Sequence, residues 1–334
     1  LPDDRLVGVF ANPTALTAGL DVLSIADDVA ALAGVGDLAT VRSLGVAVSA
    51  EPEGLAVDAV AVYDPITMDP ALAEAADDVD AANPLLSTVP TDASGVYVTR
   101  HADLALETLA AELARDDPNT ARELQAAGLT GSDGLASQLT GEALVALVGG
   151  SGGVGTERVA IAPVEDPDAA EQLLRGVAVA LGERDRDGAV GSASDPDGED
   201  RVVTSTHEGH TITAVGPPGS AFAYTVARGL VVIGTTQAQV RAAVDAIVAD
   251  DAAPPRALGD RLAGFTTGDS VVYVDGADLV ASLRDVIPPR ARSRTGYDER
   301  IAPELRAIGW LVGSLEVETR SQHARFVLSL AEKE

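Results

Sequence analysis

Three stretches of this chain open in the same way, and that recurrence limits the folds open to it more than any other feature. An acidic turn leads into a short β-branched or aromatic strand, and the strand leads into a helical pattern. Pro2-Asp3-Asp4 precedes Leu6 to Phe10, Pro90-Thr91-Asp92 precedes Val96 to Val98, and Gly268-Asp269 precedes Val271 to Val274. The segments that follow, at 14–23, 101–115 and 277–283, space their apolar residues for a helix. A second signature recurs downstream. Val41-Arg42-Ser43-Leu44-Gly45 is followed by Val46 to Val48 and Leu55 to Tyr63, and Leu305-Arg306-Ala307-Ile308-Gly309 by Trp310 to Val317 and His323 to Leu330. Each predicts a helix end capped by Gly and then a two-stranded hairpin. The middle counterpart is Gln138 to Gly141, then Ala143 to Val148 and Val159 to Val164.

The expected fold class is therefore α+β: repeated β-α-α-β-β modules with antiparallel or mixed sheets, plus a β-meander. Residues 1–83 form the first module, 84–256 the second with the meander and a helix, and 257–334 a third that packs with the first. Closing helices are expected at about 70–80 and 168–182, the latter started by Asp166-Pro167. The meander is read from Val202 to His207 and His210 to Val215 around Glu208-Gly209, then Ala221 to Ala227 and Leu230 to Ile233 around Arg228-Gly229. A helix from Thr236 to Val248 follows, and the acidic run 184–200 is expected to be an exposed loop.

Charge decides which partners are open to such a chain. Asp and Glu number 52 against 23 Lys and Arg, for a net charge of −29, and the one Lys is Lys333. Such a surface repels phosphates and anionic lipid headgroups, so no nucleic-acid partner is expected. Aromatic residues make up only 3%, which leaves few platforms for stacking. Cysteine is absent, so disulfides, thiolate metal sites and thiol catalysis are excluded. A high-GC genome accounts for the scarcity of Lys but not for the excess of acid, which points to life in concentrated salt. No stretch reaches the ~20 apolar residues of a membrane span. The chain begins without Met, so a removed signal or anchor remains open.

Several motifs invite a chemical reading. Gly150, Gly152 and Gly155 fit G-x-G-x-x-G, Gly150 and Gly155 fit a P-loop whose Lys position holds Thr156, and Gly149, Ser151 and Gly153 fit a nucleophile elbow. All of these need a helix close behind, whereas Arg158 to Ala162 reads as a strand, so the segment is expected to be a Gly-rich hairpin loop. His207 and His210 straddle a two-residue turn and would be cross-strand neighbours able to share an ion, with Glu208 or an acidic loop residue as third ligand. Asp185 to Gly188, and the run holding Asp195 and Asp197, resemble fragments of calcium loops without the full spacing. No cofactor is implied beyond calcium or another cation at these weak candidates. Paired catalytic carboxylates cannot be singled out among 52 acids. Against the acidic background, Arg290, Arg292 and Arg294 form a basic loop suited to docking an anionic partner or the acidic face of another copy.

Segments 125–148, 159–182 and 210–248 carry a resemblance. Gly128-Leu129 with Leu135 to Leu144, Val164-Glu165-Asp166-Pro167-Asp168-Ala169-Ala170, and Val231 to Thr236 with Val240 to Ala243 resemble the prokaryotic family catalogued as domain of unknown function 3352. That resemblance implies a secreted or membrane-anchored setting and repeated α+β modules, with no established activity and no catalytic residues to carry over. The sequence thus points to a non-enzymatic extracytoplasmic or cell-surface protein, adapted to high salt, that self-associates or binds another surface protein. A hydrophobic small-molecule or lipid carrier and a cation-dependent hydrolase are the alternatives. Because unscreened carboxylates repel one another, the unfolding temperature should rise from low to molar salt; a flat profile in calorimetry would count against salt adaptation.

Overall fold

The computed structural model describes residues 6–11, 41–52, 54–63, 83–100, 102, 125–126, 128–129, 134–148, 158–188, 202–215, 222–249, 256–276, 302, 307–318 and 320–331. In chain order these form β1 (Val7–Ala11), β2 (Val41–Glu51), β3 (Gly54–Tyr63), β4 (Ala93–Thr99), β5 (Ala143–Val148) and β6 (Arg158–Pro163). Helix α1 (Pro167–Gly188) follows, then β7 (Val203–His207), β8 (His210–Val215), β9 (Phe222–Ala227) and β10 (Leu230–Gly234). Helices α2 (Gln237–Val248) and α3 (Arg256–Leu262) precede β11 (Ser270–Asp275), β12 (Ile308–Glu318) and β13 (Ser321–Leu330).

Repeated β-α-α-β-β modules are not what this chain builds. Its described residues are dominated by strand, every described strand pairing is antiparallel, and they hold three α-helices. Tertiary pairing overrode the local signals. Val41 to Gly45, read as a Gly-capped helix end, lies inside β2, where Gly45 sits between Phe10 of β1 and Val60 of β3. Residues 184–188, expected in an acidic loop, belong to α1.

The chain forms two compact units, 1–83 with 260–334 and 84–259. In the first, the strand order is β1-β2-β3-β13-β12-β11. Strands far apart in sequence meet there, for β13 pairs with β3 from Ser321↔Val62 to Ser329↔Gly54. A buried Asp269 carboxylate accepts the Val317 N–H at 2.5 Å, tying the approach to β11 to the end of β12.

In the second unit the order is β4-β5-β6-β10-β9-β8-β7. Its last four strands in sequence form a meander turning at Glu208-Gly209 and Arg228-Gly229. Both turns have positive φ at each central residue (48° and 81°; 51° and 78°), the geometry whose twist suits a two-residue hairpin. One face of this sheet packs on α1: Ala170, Leu174 and Ala178 lie in a cluster with Val215, Tyr224 and Val231. Asp166 starts that helix by accepting the Asp168 and Ala169 N–H groups at 3.0 and 3.1 Å, with Pro167 in the first helical position. Helix α2 covers the opposite face, where a Cβ on Gly234 would press on Val240. It begins with a capping box, Thr236 accepting from Gln239 N–H and Gln239 accepting from Thr236 N–H. Leu174 has no exposed surface, so Leu174→Ala should cost about 2–5 kcal/mol in denaturant unfolding, the usual range for emptying a packed core site.

Candidate functional site

His207 and His210 are register partners at the tip of the β7–β8 hairpin. His207 Nε2 lies 2.6 Å from Asp245 Oδ1 of α2, and Arg241 Nη2, one turn earlier, donates to Ser205 Oγ at 3.2 Å. Residues i and i+4 of a helix thus grip residues i and i+2 of an edge strand, as both periodicities require. Among the described residues no group of three His, Asp or Glu is placed to hold a metal ion. The sequence showed two His near a turn; it did not reveal that an aspartate 38 residues away occupies His207. Asp195 and Asp197 lie outside the described residues, as do Arg290, Arg292, Arg294 and the glycine run 149–156. That run is flanked by β5 and β6, which pair antiparallel with Leu147 opposite Arg158. A strand, not a helix, therefore follows it, and the helix N-terminus that a dinucleotide site, P-loop or nucleophile elbow demands does not follow.

Charge is concentrated on one face of the first unit. Arg325 of β13 reaches Glu51 at 2.9 Å and Asp58 at 3.5 Å, and His323 stands 3.8 Å from Glu318. Arg261 hydrogen-bonds the Tyr273 hydroxyl and lies 5.5 Å from the ring centroid. Burial pushes the Tyr273 phenol up, and the Arg261 charge offsets part of this. In the second unit Glu142 is raised above the ordinary carboxylate range by burial, against the pull of Arg100 at 3.9 Å.

The opposite face of the first sheet is different in kind. Side chains alternate along a strand, so the register shows which residues share a face. Leu44, Val46, Val48 and Ala50 of β2 lie beside Ala61, Ala59, Val57 and Leu55 of β3. These in turn stand next to Gln322, Ala324, Phe326 and Leu328 of β13. Leu311, Gly313, Leu315 and Val317 of β12 continue the face to Val272 and Val274 of β11. The Phe326 ring lies over Gly313, where a Cβ would overlap it. No charged side chain falls in these rows. At one end Val41, Leu44, Ala61 and Tyr63 form a buried cluster, and the Tyr63 hydroxyl donates to Gln322 Oε1. Sequence reasoning missed this face because it exists only once residues near 44, 57 and 326 are in register.

No family model matches the chain, and no curated protein matches it. Among solved structures it is similar to crystal form I of TP0453 at 12% identity and TM-score 0.38, covering 76% of this chain and 81% of that one. Crystal form III of TP0453 gives 11% identity and TM-score 0.40, covering 76% and 82%. No described helix is long and apolar enough to cross a membrane.

Burial pushes the Tyr63 phenol up to about 12. In the unfolded chain a tyrosine ionises near the ordinary value of about 10. The neutral phenol therefore stabilises the fold fully below pH 10, and that contribution drains away as pH rises from 10 to about 12. Tyr63→Phe should remove this part of the alkaline slope. It should also cost about 1–3 kcal/mol at neutral pH, since the buried Gln322 oxygen loses its donor. Denaturant unfolding at pH 7 to 12 reads both effects.

Proposed function

We propose that this chain is a non-enzymatic extracytoplasmic protein, adapted to high salt, that assembles at a cell surface by pairing its β1 edge with a second copy. The carrying observation is β1 itself. It is the outermost strand of its unit, paired only with β2 on its described side. Leu6, Val7, Val9 and Phe10 are all exposed, Phe10 by 72%. Apolar residues thus project on both faces of a strand whose second edge has no partner among the described residues, a template for strand addition.

Charge supports the choice of partner. Val7 to Ala11 carries no ionisable group in a chain of −29, so contact through this strand does not press carboxylates directly together. Salt that screens the remaining repulsion should favour it. The extracytoplasmic setting is supported by the resemblance of segments 125–148, 159–182 and 210–248, and the salt adaptation by the acid excess.

Light scattering from low to molar salt tests the reading. The mean mass should grow with salt, and Phe10→Lys, an exposed substitution opposite Gly45, should weaken association by about tenfold or more. A strict monomer at every salt concentration, or assembly indifferent to Phe10→Lys, would overturn it.

A further inference from the structure

Strand β7 leaves the same kind of edge open as β1. It is the outermost strand of the second unit, and along one side it pairs with β8 in unbroken register from Val203↔Ala214 to His207↔His210. Its other side has no partner strand among the described residues. In a two-residue hairpin the residues flanking the turn bond to each other, and bonding then alternates along the ladder. His207 and His210 flank Glu208-Gly209, so Val203, Ser205 and His207 turn their backbone groups toward β8, whereas Thr204 and Thr206 turn theirs outward. Both threonines are exposed, as are Val202 and Val203, by 56% and 39%. The usual devices that blunt an edge are missing: Val203 to His207 holds no Lys, Pro or carboxylate, and its register has no bulge. Helix α2 holds the strand in place from one face, through Arg241 on Ser205 and Asp245 on His207.

We infer that β7 is the strand that receives β1 of the next copy, so that each copy gives one edge and takes another. This rests on the pairing of β1 with a second copy proposed above, and it names the surface that β1 meets. Each β1 has one open edge, so β1 against β1 uses both and closes at two copies. Contact between β1 and β7 joins unlike surfaces and leaves one β7 and one β1 free, so it continues into a ring or an open row. The two edges match. Each strand has five residues, and the β-branched Val203, Thr204 and Thr206 suit Val7, Val9 and Phe10 as cross-strand neighbours. The outward N–H and C=O groups of Thr204 and Thr206, two residues apart, have the spacing that another extended backbone satisfies. His207 is the one ionisable side chain on either strand, so in a chain of −29 the contact buries no carboxylate.

Two variants that each spoil one edge test this in sedimentation velocity of the full chain at molar salt. Phe10→Lys spoils β1. Thr206→Pro spoils β7 by removing an outward N–H that takes no part in the β7–β8 ladder, the place in an edge strand where Pro is tolerated. The unchanged protein should pass two copies as its concentration rises. Each variant alone should remain monomeric where the unchanged protein assembles. An equimolar mixture should give a dimer and nothing larger, because one intact β7 meets one intact β1. Thr204→Glu leaves the backbone intact but puts a charge on the exposed edge that pairing would have to desolvate, and it should behave as Thr206→Pro does. If Thr206→Pro and Thr204→Glu each still dimerise alone, β1 pairs with β1: the role of β7 is overturned and the use of β1 stands. Dimers of Phe10→Lys alone, or a mixture that stays monomeric while the unchanged protein assembles, would also overturn the role of β7. Unchanged protein that is monomeric at every salt concentration would overturn both.

Discussion

The first unit depends on a single long-range ladder. Residues 54–62 of β3 pair with 321–329 of β13, and the segments they belong to are separated by the whole of the second unit. Closing so long a loop costs entropy that grows only slowly with its length, so the separation is tolerable once the ladder forms. The register matters more. A slip of one residue would carry Asp58, His323 and Arg325 onto the apolar face and send Val57, Phe326 and Leu328 to the charged one. The Arg325 contacts with Glu51 and Asp58 on one side, and the Phe326 ring over Gly313 on the other, both hold the pairing in its observed phase.

The two units solve the same problem differently. Each has an antiparallel sheet with two faces and needs cover for both. The second covers one face with α1 and the other with α2, and the side chains between are among the most buried in the protein, including Ile161, Leu174, Ile212 and Val232. The first carries its Arg325 ion pairs on one face and leaves the other uncharged, with Tyr63 and Gln322 hydrogen-bonded to each other there, and only partly withdrawn from water. A face of that kind costs solvation free energy unless something occupies it.

Local chemistry in the sequence was enough for the features that local chemistry controls. Glu208-Gly209 and Arg228-Gly229 sit where a two-residue turn needs positive φ, and both hairpins form as their flanking β-branched residues suggest. Asp166-Pro167 and Thr236 with Gln239 start helices because their side chains satisfy the free N–H groups of a first turn. The same local reasoning failed at Val41 to Gly45. A Gly after a Leu resembles a helix cap, but here both neighbours of the strand supply ladder partners, and Gly45 is buried between them. It failed again at 184–188, where polar residues continue a helix already nucleated by the apolar stripe around Leu174.

The sequence by itself determined the turns, the helix starts, the absence of thiol chemistry and the sign of the electrostatic field, because each follows from residue types within a few positions or from a sum over the chain. Tertiary structure alone decided that β3 meets β13, that Asp245 takes His207, and that alternate residues of β2, β3, β13, β12 and β11 share one uncharged face. Those outcomes depend on which distant strands lie side by side and in what phase, and a period-two pattern fits either phase until a partner fixes it.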